Sequence, residues 1–122
     1  VNECIYTGPK LTNDIFDILI NFRNKEIAFV ADLKQAFLNI EIVEEDRDAT
    51  RFIWMEPPFD EGKIKIYRFT RVLFGLTSSP FLLAATIKFH LKNYEKTYPQ
   101  TIKILRVSLY VDDVIGCEDN VD

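Results

Sequence analysis

The chain has 122 residues, of which 48% are hydrophobic, and a formal net charge of −4. This length allows one domain at most, and the hydrophobic fraction excludes a disordered chain and supports a sizeable core. Nucleic-acid-binding domains are usually basic, so the total charge argues against a free-standing protein of that class. No apolar run reaches the roughly 18 residues that a membrane-spanning helix needs, and we expect no membrane partner.

Two further features bear on the setting of the protein. Cys4 and Cys117 lie far apart and lack the spacing of metal ligands, which favours structural roles in a reduced, intracellular setting, with the cytoplasm as the expected location. The chain begins at Val1, its only methionine is Met55, and no signal peptide opens it. We therefore expect a piece of a longer protein.

The first half of the chain predicts a helix followed by a strand. Residues 11–22 carry apolar side chains at the period of an amphipathic helix, with Thr12 or Asn13 as its cap. Residues 27–32 form an apolar run that ends in Asp32, which predicts a strand buried on both faces. Residues 37–42 fit either a short helix or a strand, and residues 44–48 predict an acidic turn.

The middle of the chain predicts a hairpin and then the longest helix. Residues 51–55 and 64–70 predict two strands on either side of a loop rich in proline and glycine. Ser79 suits a helix cap and Pro80 suits the first helical position, so a helix is expected to begin there and to end before Pro99. Four apolar side chains recur on one face of that helix: Leu83, Ile87, Leu91 and Tyr94.

The end of the chain predicts a second hairpin. Residues 102–111 are mostly apolar or β-branched and predict a strand, followed by a tight turn bearing Asp112 and Asp113 and a returning strand. Strands and helices mix without strict alternation. The predicted fold is therefore α+β, an antiparallel sheet with helices packed on one face, in a single domain over residues 1–122.

Three carboxylates are the candidate catalytic residues. Asp112 and Asp113 occupy a turn, and Asp32 ends another predicted strand, so two strand ends could bring the three acids together. Carboxylates on a rigid turn suit magnesium, and two-metal phosphoryl transfer needs ions bridged by carboxylates. The alternative interpretation is a solvated turn at Asp112 and a helix cap at Asp32.

A glycine-containing loop leads into the long helix. Gly75 permits a close approach or a positive φ, and the loop ends at a helix N-terminus, which attracts anions and could line a nucleotide or template site. The alternative is an ordinary capped helix. The lysines and arginines at 63, 65, 68 and 71 could lie near template phosphates or on a solvated strand face.

These segments, in this order and spacing, resemble the reverse transcriptases of long-terminal-repeat retrotransposons, and the Bel/Pao group most. The resemblance covers nearly the whole chain and includes residues 8–11 (GPKL), 46–54 (DRDATRFIW), 67–81 (YRFTRVLFGLTSSPF) and 110–113 (YVDD). It implies a right-hand polymerase palm with part of the fingers. It also implies an RNA-directed DNA polymerase that adds dNTPs to a DNA primer on an RNA template.

The resemblance assigns roles to individual residues. Two Mg²⁺ ions, or Mn²⁺ in their place, would be held by Asp32, Asp112, Asp113 and the backbone carbonyl of Leu33. The incoming nucleotide would meet a second group of residues, with Phe37 as a steric gate against ribonucleotides: Gln35, Ala36, Phe37, Phe74 and Gly75. The template and primer would contact Ser79, Pro80, Tyr110 and Val111.

The family pattern also extends beyond this chain. Its basic fingers residues lie upstream, and the thumb, RNase H and integrase segments of the polyprotein would follow, so we expect the isolated chain to polymerise weakly or not at all. A catalytically silent remnant that acts only as a folded or partner-binding module is the alternative. Another palm-type enzyme is a third interpretation; Phe37 argues against an RNA-dependent RNA polymerase, and residues 75–80 argue against a nucleotide cyclase.

Overall fold

The computed structural model describes residues 2–57 and 63–120. It combines helices with antiparallel sheets, which confirms the predicted α+β class. The α-helices are α1 (Ile15–Asn21), α2 (Ser79–Tyr94) and α3 (Pro99–Ser108). The strands are β1 (Ile27–Asp32), β2 (Arg51–Met55), β3 (Ile64–Arg68), β4 (Leu109–Tyr110) and β5 (Asp113–Glu118). Short 3-10 helices span Asn2–Cys4, Phe37–Asn39 and Glu44–Thr50.

The strands form two separate antiparallel sheets. The larger has the order β1-β5-β4, so the last strand of the chain lies at its centre, and the smaller is the β2–β3 hairpin. Helices α1 and α3 pack against β5, and α2 packs against α3. In the described ranges no helix has the length and apolar character needed to cross a membrane.

Strand β1 has the predicted bounds, but the prediction that both of its faces are buried was wrong. Val30 is 66% exposed, and Ala28 and Asp32 are also exposed. The reason is its place in the sheet: β1 is an edge strand, whereas the helices pack against the central strand.

Helix α1 begins later than predicted and has a different cap. The carboxylate of Asp14 accepts the backbone N–H of Phe16 at 2.8 Å, which satisfies one of the free donors of the first turn. The side chain of Asn13 has another partner: its amide donates to the carbonyls of Arg106 and Leu109, both at 2.9 Å. These two bonds tie the start of the chain to the end of α3.

Residues 102–111 are mostly helical, so the prediction of one long strand was wrong. Helix α3 begins at Pro99, which suits the first helical turn, and continues to Ser108. Ile102 is 4% exposed and Leu105, three residues on, is half-buried, which is the spacing of a helix face. The strand that follows, β4, has only two residues before the turn.

Helix α2 starts where predicted, but Ser79 is not its cap. The cap position is Ser78, and Ser79 lies inside the first turn, where it is 1% exposed and its Oγ donates to the Leu73 carbonyl at 2.5 Å. Leu83 and Leu91 are buried and Ile87 is half-buried, as predicted, but Tyr94 is 45% exposed. The helix ends before Pro99, as predicted.

The structure of the segment between β1 and α2 agrees only in part with the predictions made from the sequence. Residues 37–42 contain both predicted alternatives, a 3-10 turn and then a bridge between Glu41 and Arg71. Residues 44–50 form a 3-10 helix instead of a simple turn. The predicted hairpin is confirmed, with β3 ending at Arg68, while its connecting residues 58–62 lie outside the described ranges.

One hydrophobic cluster lies between the turn after β1, helix α2 and the β4–β5 turn. Its buried members are Ala36, Phe37, Val72 and Leu83, and the partly buried residues packed against it are Ile40, Ile42, Ile87 and Val111. We call it the core cluster. Because Val111 belongs to the turn that carries the acids, the core cluster supports that turn from behind.

Candidate active site

The three acids meet at one edge of the larger sheet. Asp32, the last residue of β1, pairs directly with Asp113, the first residue of β5, and Asp113 pairs in turn with Tyr110 of β4. The backbone N–H of Leu33 donates to the carbonyl of Asp112 at 2.8 Å. Residues opposite each other in an antiparallel pair lie on the same face, so Tyr110, Asp113 and Asp32 form a row across one face.

The side chains of the acids do not complete a metal site in this structure. Within residues 2–57 and 63–120, no three carboxylate, imidazole or thiol side chains are arranged to hold a metal ion. The donor set nevertheless fits a hard divalent cation in kind, because Asp32 and Asp113 present carboxylates on one face and Asp112 lies in the adjoining turn. Backbone pairing therefore brings the acids together without fixing their side chains around a common point.

The turn between β4 and β5 holds its backbone in an unusual conformation. Val111 has φ = 56°, and it is the first of the two central residues between the paired Tyr110 and Asp113. Since Asp112 is not among the positive-φ residues of the described ranges, the turn is of type II′, in which glycine normally takes the first position. A β-branched residue there is a genuine outlier, and such strain costs on the order of 1–3 kcal/mol.

A second strained turn follows β1. Residues 33–36 form a β-turn in which Ala36 N–H donates to the Leu33 carbonyl at 3.0 Å, and Gln35 has φ = 55°. In the part of the chain that the structure describes, Gln35 and Val111 are the two non-glycine residues with positive φ. Both flank the acidic edge, and strained backbone of this kind concentrates at functional sites.

The same turn bears on two residues expected to contact metal and nucleotide. The Leu33 carbonyl already accepts one hydrogen bond, which leaves it one further lone pair for a ligand. The Ala36 N–H is donated within the turn and Ala36 is 7% exposed, whereas Gln35 is exposed. Of the two, Gln35 is the residue open to an incoming ligand here.

Phe37 and Phe74 are in contact at the edge of the core cluster. Phe37 is 6% exposed, Phe74 is 66% exposed, and their ring centroids are 4.7 Å apart in an edge-on arrangement. Gly75 follows with φ = 83°, and a Cβ built on it would meet nothing within 4 Å. Gly75 is therefore needed for its backbone conformation and not for a close approach.

The loop before α2 is fixed by contacts that sequence patterns did not indicate. The Asn2 side chain donates to the Gly75 carbonyl at 2.9 Å and accepts from Thr77 N–H at 3.1 Å. Asn2 and its partners are more than seventy residues apart, so no local spacing could have revealed them. Ser79 faces the interior through its bond to Leu73, which leaves Pro80 as the exposed member of the expected template pair.

The basic residues near the hairpin are held by the acids that precede them. Arg68 pairs with both Glu44 and Asp48, and Arg51 also pairs with Asp48 at 2.6 Å. Hydrogen bonds from Arg51 and Arg68 lower the pKa of Asp48, and the bonds to Asp48 and Glu44 raise the pKa of Arg68. These ion pairs favour the solvated-face interpretation, since three of the four basic residues considered for template phosphates have acidic partners: Lys65, Arg68 and Arg71.

Comparison with known families agrees with this geometry. Residues 6–120 match the family described as reverse transcriptase (RNA-dependent DNA polymerase). The match spans nearly all of the chain, so the chain belongs to the reverse transcriptase family, and its α+β fold is palm-like. The chain is thereby a member of a polymerase-type enzyme family. A search of curated proteins found no match.

Proposed function

We propose that this chain is the palm, with part of the fingers, of an RNA-directed DNA polymerase from a long-terminal-repeat retrotransposon of the Bel/Pao group. The observation that carries the proposal is the register of Asp32 against Asp113, with Asp112 bonded through its carbonyl to Leu33. A solvated turn would not need two strained residues and a buried cluster behind it. Thumb, RNase H and integrase segments would belong to the same polyprotein.

The proposed reaction is nucleotidyl transfer. The 3′-hydroxyl of a DNA primer attacks the α-phosphate of a dNTP in line, a new phosphodiester bond forms, and pyrophosphate leaves. Two Mg²⁺ ions, or Mn²⁺ in their place, would be held by Asp32, Asp112 and Asp113 and would supply activation of the attacking oxygen and stabilisation of the leaving oxygen. The rigid turn positions the carboxylates, and catalysis depends mainly on positioning and charge stabilisation.

The other roles in the proposal follow the exposure of each residue. Tyr110 lies in the same row as the acids and would contact the primer end, with Val111 beside it. Phe74 and Gly75 would border the nucleotide, and Pro80, the exposed member of its pair, would border the template. Gln35, which is exposed, would contact the nucleotide, and the Leu33 carbonyl, with its remaining lone pair, would contact a metal ion.

Single-nucleotide incorporation tests this function. The full chain is given an RNA template, a DNA primer and one dNTP, and the first addition is followed in single-turnover conditions with Mg²⁺ or Mn²⁺. Asp112→Asn should lower the rate about a hundredfold or more, because metal-assisted charge stabilisation is worth several kcal/mol. Asp17→Asn, which removes an exposed acid from α1, is the matched control and should leave the rate unchanged.

An unchanged rate in Asp112→Asn would contradict the polymerase assignment. The expected wild-type activity is weak and non-processive, or absent. Absence of incorporation with either metal would favour the silent remnant. Robust processive synthesis would contradict the expectation that the fragment alone is poorly active.

A test of Phe37 as the steric gate against ribonucleotides needs a substitution that preserves the fold. Phe37 is 6% exposed, and replacing such a ring by alanine would cost about 3–5 kcal/mol. Phe37→Leu keeps most of the volume and should raise the ratio of ribonucleotide to deoxynucleotide incorporation. Phe16→Leu, which changes an exposed ring on α1 that has no role in the proposal, is the control. An unchanged ratio in Phe37→Leu would leave Phe37 as a core aromatic only.

A further inference from the structure

The positive charge of the chain is concentrated in its second half. Residues 63–111 contain nine basic residues and a single acidic one, Glu95, although the whole chain has a net charge of −4. Glu95 is paired with Arg106 at 3.2 Å. Five of the nine lie in α2, in α3 or in the turn between them: Lys88, Lys92, Lys96, Lys103 and Arg106.

Most of the arginines are neutralised by nearby acids, but two lysines of α2 and one in the turn that follows it are not. Lys88, Lys92 and Lys96 are exposed, and within the described residues none has an acidic group at ion-pair distance. By contrast, paired acids are found for seven other basic residues: Lys25, Arg47, Arg51, Lys65, Arg68, Arg71 and Arg106. The three lysines are thus available to an external anion.

Two of the three lysines lie in α2. Lys88 and Lys92 are four residues apart, which in an α-helix is about 6 Å along the axis and about 40° of rotation. Lys96 lies in the turn that follows the end of the helix at Tyr94. The buried residues of α2, Leu83 and Leu91, define the opposite side, with Lys92 roughly 140° away from it. Lys88 lies at the border between the two sides.

An exposed aromatic ring lies among these lysines. Phe89 is 69% exposed, and it is adjacent to Lys88 and three residues before Lys92. Residues three apart are neighbours on a helix surface. A large exposed aromatic beside unpaired cations is the combination that single-strand binders use, because the cations contact phosphates and the ring stacks on a base.

We propose that this surface, Lys88, Phe89, Lys92 and Lys96, binds a single-stranded nucleic acid. We call it the α2 basic face. It is carried by the side of α2 directed away from the core cluster and by the turn after α2, so it is separate from the row formed by Asp32, Asp113 and Tyr110. The unpaired lysines supply the affinity for the backbone, and Phe89 distinguishes a nucleic acid from an acidic peptide, which offers no base for stacking.

The charge contribution is tested by the salt dependence of RNA binding. The probe is a labelled oligouridine of about twelve nucleotides, within the range of single-strand site sizes, with EDTA and without primer or dNTP. Fluorescence anisotropy is measured for the full chain and for the triple variant Lys88→Gln, Lys92→Gln, Lys96→Gln. Loss of three phosphate contacts should reduce the slope of log K against log salt by about 2 and the affinity at least about tenfold.

The matched control removes the same total charge elsewhere. The triple variant Lys10→Gln, Arg23→Gln, Lys103→Gln also replaces three exposed basic residues that lack acidic partners in the described part of the chain. Its salt slope should equal that of the wild type. An equal loss of slope in both triple variants would show a general charge effect and would overturn the α2 basic face.

The aromatic contribution is tested by Phe89→Ala. Loss of one stacked base should weaken binding about fivefold or more while leaving the salt slope unchanged. Because Phe89 is exposed, the circular dichroism spectrum should not change. An unchanged affinity in this variant, or competition by polyglutamate as effective as that by unlabelled oligouridine, would overturn the assignment to nucleic acid.

Discussion

The acidic edge of the larger sheet and the β2–β3 hairpin are both exposed pieces of sheet, but they are stabilised differently. Behind the acidic edge lies the core cluster, in which Leu83 is 3% exposed and which Val111 contacts from the turn. In the hairpin, Ile53 and Ile66 are opposite each other and each is 69% exposed. The hairpin is stabilised instead by stacking of Phe52 on Tyr67 and Phe69 and by surface ion pairs around Asp48.

This difference shows where the molecule can support chemistry. A strained turn persists only when its surroundings determine its conformation, and the core cluster provides that at Val111. Surface ion pairs contribute little each and are weakened by salt, so the hairpin should respond to pH and ionic strength more than the acidic edge does.

The largest expected effect comes from removing core volume behind the acidic edge. Leu83→Ala should lower the free energy of unfolding by about 2–5 kcal/mol, because it deletes buried methyl groups and leaves a cavity. Ile66→Ala in the hairpin should change it by less than about 0.5 kcal/mol. Urea unfolding followed by circular dichroism measures both, and similar losses would contradict the contrast between the two regions.

A smaller effect of opposite sign is expected at the turn after β1. Gln35→Gly should stabilise the protein by about 1 kcal/mol, because glycine adopts φ = 55° without the steric cost that Gln35 bears. Lys34→Gly, at the preceding position, is the matched control and should destabilise it by several tenths of a kcal/mol through the entropy of the unfolded chain. If Gln35→Gly were as destabilising as Lys34→Gly, the turn would not be strained.

The smallest effect concerns the ion pairs of the hairpin and depends on pH. Arg51 and Arg68 lower the pKa of Asp48, so its contribution to stability is present above the ordinary aspartate range and is lost as the pH falls through the lowered pKa. In urea unfolding, Asp48→Asn should therefore have a lower free energy of unfolding than the wild type at neutral pH, and this difference should disappear in acid.

A double-mutant cycle sharpens this prediction. In a variant that already carries Arg51→Gln, Asp48→Asn should lower the free energy of unfolding at neutral pH by less than it does in the wild type, because one of the two hydrogen-bonding partners of Asp48 is already absent. High salt should reduce the same difference. A difference between Asp48→Asn and the wild type that persists unchanged in acid would show that Asp48 contributes by some means other than its charge.

The elements that could be predicted from the sequence are those with an unambiguous hydrophobic period or with clear residues that begin or end them. Strand β1 ends at Asp32 because an apolar run ends there, and the convergence of Asp32 with Asp113 followed from two strand ends bearing acids. Residues 102–111 were misassigned because an apolar run of that length is compatible with a buried helix as well as with a strand. The burial of Ile102 and Leu105, three residues apart, is the pattern of a helix face.

The rest depended on contacts between distant residues. The bond from Asn13 to Leu109 and the burial of Ser79 against Leu73 are tertiary choices that no local pattern specifies. The side-chain arrangement of the three acids is also beyond the sequence, because rotamers respond to ligands and neighbours and not to spacing along the chain.

Binding of Mn²⁺ to the full chain, followed by electron paramagnetic resonance without nucleic acid or nucleotide, tests the central claim most directly. Asp32, eighty residues before Asp112, should belong to the same site, so Asp32→Asn and Asp112→Asn should each weaken binding more than about tenfold. Asp17→Asn should bind as the wild type does. Unchanged Mn²⁺ affinity in Asp32→Asn would contradict the account, because the two strand ends would then not share a divalent cation.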